Sequence, residues 1–142
     1  MALVLPRHPV LTLEAARLAL AAAEARARAG GWAVVIAVAD AGGHPILVAR
    51  LDGTQASSVD TAIAKARAAT AFKRPTRLLE EIVNGGRTAF LSVPGPYSLM
   101  QGGVPVSIEG QVVGAVGVSG VKASDDEIVA QAGVDAILAA IA

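Results

Sequence analysis

The stretch from residue 101 to residue 120, QGGVPVSIEGQVVGAVGVSG, constrains the fold more than any other part of the chain. Its first half, 104–109, alternates between apolar and mostly polar residues, which is the period of a strand that buries one face. Its second half, 112–118, is apolar on both faces, as is typical of a strand at the covered centre of a sheet. Glu109-Gly110 between them suits a two-residue turn in which the glycine takes a positive φ. The stretch therefore predicts an antiparallel hairpin whose second strand is central.

The remaining patterns predict a second hairpin and four helices. The helices are predicted at 13–29, 58–73, 77–83 and 125–142, the second hairpin at 32–40 and 44–51, and one more short strand within 97–101. The order is α-ββ-α-α-(β)-ββ-α, which lacks the strand–helix–strand unit of a parallel fold. The predicted fold class is therefore α+β, with an antiparallel sheet of four or five strands and helices on both faces.

Polar residues at the starts of the predicted helices suggest how each helix is capped. Thr12 and Thr76 are placed to act as N-caps of the first and third helices. Ser57 with Asp60, and the run SDDE that begins at Ser124, resemble capping boxes for the second and fourth helices. We therefore expect every helix to begin with a hydrogen bond from its backbone to a side chain.

The length and the apolar content predict one domain that belongs to an oligomer. The chain has 142 residues, so we expect a single domain, 1–142, in which residues 1–11 form an extended N-terminal arm restricted by Pro6 and Pro9. Apolar residues make up 54% of the chain and charged residues 17%, against about 25% charged in typical domains. This composition favours a homo-oligomer whose subunits bury part of their surface. The alternative is that the alanine content reflects only a GC-rich genome.

Charge and cysteine content exclude several classes of function. Twelve basic and twelve acidic residues cancel, so neither nucleic acid nor an anionic membrane is expected as a partner. The absence of cysteine excludes a disulfide framework, a thiolate zinc site and a cysteine nucleophile. No apolar run is long enough to span a membrane, and the first residues lack the features of a signal peptide. We therefore expect a cytoplasmic protein.

The two histidines are the first candidates for chemistry. No pair has the HExxH spacing of a zinc hydrolase. His8 lies in the predicted arm, where it is either a solvated tail residue or an axial ligand to a haem iron, a role that needs one accessible imidazole. His44 follows a glycine turn, where it either bonds to local backbone or acts as a general acid or base.

A second set of candidates could bind an acidic ligand. Gly102 and Gly103 could present backbone N–H groups to a carboxylate. Tyr97 could be a pocket wall, an iron ligand or a loop anchor. The second predicted helix and its exit carry a basic side that could bind a small acid or the propionates of a porphyrin, formed by Lys65, Arg67, Lys73, Arg74 and Arg77.

Four runs of the sequence together resemble the GlcG/HbpS family of haem-binding or haem-degrading proteins, to which the C-terminal domain of PduO-type proteins also belongs. The runs are DAGGHPILVARLDG, SVDTAIAKARAATAFKRPT, LMQGGVPVSIEGQVVGAVGVSG and DDEIVAQAG, and the resemblance covers residues 11–137. It implies a profilin-like antiparallel sheet and dimers that build larger assemblies, up to octamers. It also implies haem binding, with His8 at the position of the metal ligand.

Two functions from different classes follow from these observations. The first is an oligomeric haem- or tetrapyrrole-binding protein, with or without haem degradation, in which Lys73 and Arg74 are the candidate propionate partners. The alternative is an enzyme or accessory protein that acts on a small organic acid at a subunit interface, in a pocket formed by Gly102, Gly103 and Tyr97 together with Lys65 or Arg74. A structural assembly partner without chemistry is the third interpretation, so enzymatic activity stays open.

Overall fold

The computed structural model describes residues 1–141 and contains four α-helices and four strands. In chain order these are α1 (Leu13–Gly30), β1 (Val35–Asp40), β2 (Pro45–Arg50), α2 (Ser58–Phe72), α3 (Thr76–Asn84), a 3₁₀ helix (Thr88–Ser92), β3 (Gly103–Ile108), β4 (Gln111–Ser119) and α4 (Ala123–Ala140). The strands form one sheet in the order β2-β1-β4-β3, and each neighbouring pair is antiparallel. The predicted α+β class and the two hairpins are confirmed.

Strand β4 is central, and helices cover the sheet on both faces. On one face, α1 and α4 pack over a core that contains Val116 and Val118. On the other face, α2 packs against β1 and β4. Here the sheet surface is built from small residues, and a Cβ added to Gly117 would collide with the backbone of Ala62 and Ala66. Strand β4 is therefore apolar on both faces, as predicted. Its valines are buried under α1 and α4, and its small residues allow the backbone of α2 to approach closely on the other face.

Val113 lies on the opposite face from the one that strict alternation predicts. The pairing of β3 with β4 runs from Val106 opposite Gly114 directly to Ser107 opposite Val112, so Val113 has no partner. An extra residue of this kind is a β-bulge, which shifts the alternation of the strand. Val113 therefore joins the core beneath α1 and α4.

Only one of the predicted helix caps is present. Thr12 Oγ1 accepts from the N–H of Ala15 at 3.1 Å, as expected. The predictions of caps at Ser57, Thr76 and Ser124 were wrong. No side chain caps the N-terminus of α2, α3 or α4, and α4 begins before Ser124. Thr76 instead bonds to Gly103, and Glu127 bonds to Gln101. Tertiary partners thus replace the local hydrogen bonds that the sequence pattern favours.

Three further boundaries differ from the predictions. Residues 97–101 contain no strand, and β1 begins at Val35, after Trp32. The predicted end of the last helix, residue 142, lies outside the described residues. Within residues 1–141, the helices are each too short or too polar to cross a membrane.

Candidate functional site

The structure distributes the predicted site residues over three separate places. The two histidines lie beside the turn between β1 and β2, three residues lie at the end of α2, and two glycines lie in the interior. In the same order, these are His8 and His44, then Lys73, Arg74 and Tyr97, then Gly102 and Gly103.

The turn between β1 and β2 is held by the carboxylate of Asp40. Its Oδ1 accepts from the N–H of Gly42 at 2.9 Å and from the N–H of His44 at 3.0 Å. The Asp40 N–H in turn donates to the His44 carbonyl at 2.9 Å. The backbone of His44 is thus fully tied to the turn, while its exposed imidazole lies beside Gly42.

His8 reaches the same turn from the arm, residues 1–11. It lines a cavity of about 250 Å³, the His8 cavity, together with residues 9–11 of the arm, residues 40–42 of the turn, and Val112 and Val113 of β4. The Nε2 group of Gln111 donates to the Arg7 carbonyl at 3.1 Å and so anchors the arm next to His8. The fold therefore brings both histidines, which are far apart in sequence, to one turn.

Arg67 of α2 packs beneath this turn. Gly43 is buried at a φ of +81°, and a Cβ there would lie 2.9 Å from Cγ of Arg67. Five basic residues were predicted to form one side of α2 and its exit. Arg67 is the member of this group that lies against Gly43 of the turn. No group of three histidine, aspartate or glutamate side chains within residues 1–141 could hold a metal ion.

A larger cavity of about 540 Å³, the apolar cavity, lies on the other side of the arm. Its floor is formed by the buried residues Leu11, Val113 and Ile137, and Leu18 and Ile141 stand at its rim. The two cavities share residues 9–11 and Val113 as a common wall. The root of the arm thus separates a cavity with an imidazole from a cavity that is mostly apolar.

Tyr97 lies in an aromatic cluster. Its ring lies 5.3 Å from that of Phe72, and the Phe72 ring lies 5.4 Å from that of Phe90, both in edge-to-face geometry. Lys73 and Arg74 follow Phe72 on the surface, and the Arg74 Nε donates to the Phe72 carbonyl at 3.1 Å. Tyr97 anchors its loop on α2 and also lines a cavity of about 200 Å³. None of these three predicted site residues lines the His8 cavity.

Gly102 and Gly103 are buried, and their backbone groups are used within the fold. The N–H of Gly103 donates to Thr76 Oγ1 at 2.8 Å, and the Gly102 carbonyl accepts from the N–H of Val118 at 2.9 Å. A Cβ on Gly102 would lie 2.8 Å from the Lys65 ammonium. Only glycine fits here, so the residue type at position 102 is explained by packing.

Lys65 is an interior residue rather than part of a basic surface. Its Nζ donates to the Val118 carbonyl at 2.9 Å and to Asp126 Oδ2 at 3.1 Å, and both side chains are 2% exposed. Burial raises the pKa of the Asp126 carboxyl above its usual range, although Lys65 and the N–H of Val121 act in the opposite direction. Lys65 therefore does not belong to the basic side predicted for α2, although it does lie next to Gly102, with which the small-acid alternative grouped it. Its spacing from Ala62 and Ala69 on the buried stripe of α2 was the signal for its position.

Comparison with known proteins identifies the same architecture in several relatives. Residues 11–135 match the family described as haem degrading protein HbpS-like. Protein GlcG of Escherichia coli strain K12 is 44% identical over 110 residues, which are 78% of this chain and 81% of GlcG. Klebsiella pneumoniae protein ORFY superposes with a TM-score of 0.87 at 34% identity, covering 99% of this chain and all of that one.

A structure described as a PduOC:haem complex is also similar. It superposes with a TM-score of 0.83 at 26% identity, over 90% of this chain and 95% of PduOC. The resemblance inferred from the four sequence runs is confirmed by the family match over most of the chain and by the identity with GlcG. The chain belongs to the HbpS-like family.

Proposed function

We propose that this protein binds haem or a related iron tetrapyrrole, with the imidazole of His8 as an axial ligand. The observation that carries the proposal is the position of His8, on an exposed arm at an open cavity beside a rigid turn. Haem iron is commonly held by one histidine. Family membership and the similarity to the PduOC:haem complex support the same ligand class.

The His8 cavity suits a porphyrin better than the apolar cavity does, because of charge. Glu14 and Glu109 line the apolar cavity, so the propionates of a haem would meet two carboxylates of the same sign there. On the other side of the arm, the only carboxylate among residues 1–141 that lines the His8 cavity belongs to Asp40, which already accepts two N–H bonds. Arg67 does not line the His8 cavity itself, but it packs against Gly43 of the turn, so it replaces Lys73 and Arg74 as the candidate partner for a propionate.

One copy of the chain covers only part of such a ligand. The His8 cavity measures about 250 Å³, whereas pockets that enclose a small molecule usually measure roughly 300–1,000 Å³. A homo-oligomer in which a second copy covers the remainder is therefore part of the proposal. The high apolar content and the large apolar side chains on the surface support such an assembly.

Titration of the purified protein with haemin, followed at the Soret band, tests the proposal. We expect a saturable shift that His8→Ala abolishes and Arg67→Ala weakens. Lys73→Ala is the matched control for Arg67, because it removes a cation from the same helix end without touching the turn. The same titration of His44→Ala measures whether the second imidazole contributes to haemin binding. A shift that survives in His8→Ala unchanged would rule out His8 as the ligand.

Haem degradation is the enzymatic form of the same proposal. A Soret band that decays only when a reductant and oxygen are supplied would identify it, and His8→Ala should abolish that decay as well. The structure does not favour the small-acid alternative, because Gly102 and Gly103 are buried and the Gly103 N–H already has Thr76 as its acceptor.

A further inference from the structure

The arm leaves the body of the chain with its apolar side chains in solvent. Leu3, Val4 and Leu5 are 84%, 83% and 72% exposed, and Val10 is 81% exposed. Consecutive large apolar side chains with this exposure are typical of a surface that another molecule covers. The composition of the arm therefore favours an apolar partner surface.

A surface of matching chemistry lies at the root of the same arm. The apolar cavity has a buried floor, and Leu18 and Ile141 at its rim are each 45% exposed. Its volume of about 540 Å³ is enough for several apolar side chains, since whole ligands occupy pockets of roughly 300–1,000 Å³. Placing the arm in the cavity would remove apolar area from water on both partners.

The charges of the arm and the cavity are complementary. Arg7 carries the only charged side chain among the first ten residues, with His8 counted as neutral. Glu14 and Glu109 line the cavity, and neither forms a salt bridge within residues 1–141. A positively charged apolar segment therefore fits this rim, whereas an anionic segment or ligand does not.

The arm of the same chain is poorly placed to fill this cavity. Residues 9–12 already form one wall of it, so residues 2–5 would have to reverse direction within Pro6–Pro9. Leu5 and His8 each precede a proline, which disfavours the compact backbone conformations that a reversal needs. An arm that is held extended reaches a neighbouring molecule more readily than its own root.

We infer that two copies of the chain exchange their arms about a twofold axis, each placing residues 2–5 in the apolar cavity of the other. Because the arm and the cavity are adjacent on one chain, the same pair of contacts repeats in both directions and the assembly closes as a dimer. The inference rests on the proposed homo-oligomer and is independent of haem binding. Residues 2–5 are then the segment that forms the assembly. His8 lies at the base of an arm that the partner holds in place.

Cross-linking of two separately prepared single variants tests the exchange, because the natural chain has no cysteine. Leu3→Cys places a thiol on the arm, and Leu18→Cys places one at the cavity rim. When the two are mixed under mild oxidation, we expect the mixed disulfide about 100-fold faster than for a pair of unassociated chains, because docking creates a high effective concentration. Leu91→Cys replaces Leu18→Cys in the control, since Leu91 is also exposed but lies outside the cavity.

Equal rates with Leu18→Cys and Leu91→Cys would overturn the inference. The double variant Leu3→Cys/Leu18→Cys distinguishes the two directions of docking, because a disulfide within one chain migrates as a monomer. A predominantly intramolecular product would place the arm in its own cavity and would also overturn the exchange.

Analytical ultracentrifugation separates failure of the exchange from failure of the oligomer. We expect the full chain to sediment as a dimer or larger assembly, and a variant without residues 2–5 to dissociate to smaller species at the same concentration. Leu91→Glu should leave the assembly unchanged. If the full chain is a monomer throughout, the proposed homo-oligomer fails. If the shortened variant assembles like the full chain, the oligomer stands and the arm exchange is overturned.

Discussion

The buried pair of Lys65 and Asp126 and the exposed arm with His8 use titratable side chains in opposite ways. Lys65 and Asp126 are almost completely removed from solvent, and each is hydrogen-bonded to the other and to backbone. His8 is exposed and lies at an open cavity. The pair connects α2, β4 and α4, whereas the His8 side chain makes no hydrogen bond or salt bridge among residues 1–141. The difference teaches that the interior charges are fully engaged by partners within the fold, whereas the exposed imidazole has no such partner among the described residues.

Removal of one partner of the buried pair should have the largest effect. Lys65→Ala leaves the Asp126 carboxyl buried without its cation, and we expect a loss of about 3–5 kcal/mol in the free energy of unfolding. Urea denaturation at pH 7 measures it. Haem binding per folded molecule should be unchanged. The double variant Lys65→Met/Asp126→Leu should recover most of the loss, because no unpaired charge remains. A loss below about 1 kcal/mol for Lys65→Ala would mean that the pair behaves as a surface ion pair and would break the comparison.

The pH dependence of the same pair should have a smaller effect. Burial raises the pKa of Asp126 in the folded state above its unfolded value, so the folded protein binds a proton more readily than the unfolded chain. Between these two values, stability from this group falls as the pH rises. We therefore expect the wild-type protein to lose stability relative to Asp126→Asn as the pH rises through the acid range, and the difference to become constant above the folded pKa. Urea denaturation of both proteins between pH 3 and pH 7 measures it, and a difference that moves the other way would contradict the raised pKa.

Removal of the turn carboxylate should have a moderate effect on stability and a clear effect on ligand binding. Asp40→Ala removes the acceptor of two N–H groups at an exposed turn, so we expect a loss of about 1 kcal/mol. The cavity beside His8 would also lose its rigid edge, so affinity for haemin should fall. Asp40→Asn is the matched control, because its amide oxygen can still accept these bonds. If both variants bind haemin like the wild type, the turn is not part of the site.

Substitution of His8 should have the smallest effect on stability. His8→Ala changes an exposed side chain that no hydrogen bond involves among residues 1–141, so the free energy of unfolding should change by less than about 0.5 kcal/mol. Haemin binding should nevertheless be lost. Thermal denaturation without ligand, together with the Soret titration, measures both quantities on one sample. A large loss of stability would show that His8 has a structural role and would remove the contrast with Lys65.

The predictions from sequence were most accurate where a pattern depends on neighbouring residues. The cap at Thr12 and the turn at Glu109-Gly110 have local causes, and both occur as expected, with φ values of 51° and 76° at the turn. The caps at Ser57 and Ser124 failed, although their local pattern is equally good. In the capping box expected for α4, Glu127 is the long acidic side chain. It instead accepts hydrogen bonds from Arg77 and Gln101, which are distant in sequence. At α4 the local pattern therefore loses to tertiary partners, whereas the structure shows no competing partner that explains the missing cap at Ser57.

For the candidate site, the sequence predicted single residues better than it predicted which of them lie together. The sequence indicated His8, His44 and the basic residues of α2 one by one, but it could not say which of them meet. The fold places His8 at a cavity lined by residues 40–42 of the turn, His44 within the same turn, and Arg67 against Gly43, although neither His44 nor Arg67 lines that cavity. Tyr97 lies instead in the aromatic cluster at the end of α2, and Lys73 and Arg74 are the exposed residues that follow Phe72 there.

The sequence by itself determined the α+β class, the two hairpins, the central apolar strand and the family, because periodicity and turn residues act over a few positions. Only the tertiary structure decided that Lys65 is buried against Asp126, 61 residues away, and that the root of the arm separates the His8 cavity from the apolar cavity. Both depend on which distant segments pack together. The spacing of Lys65 along α2 can indicate that it is buried, but no pattern of neighbouring residues names the distant partner that packing places beside it.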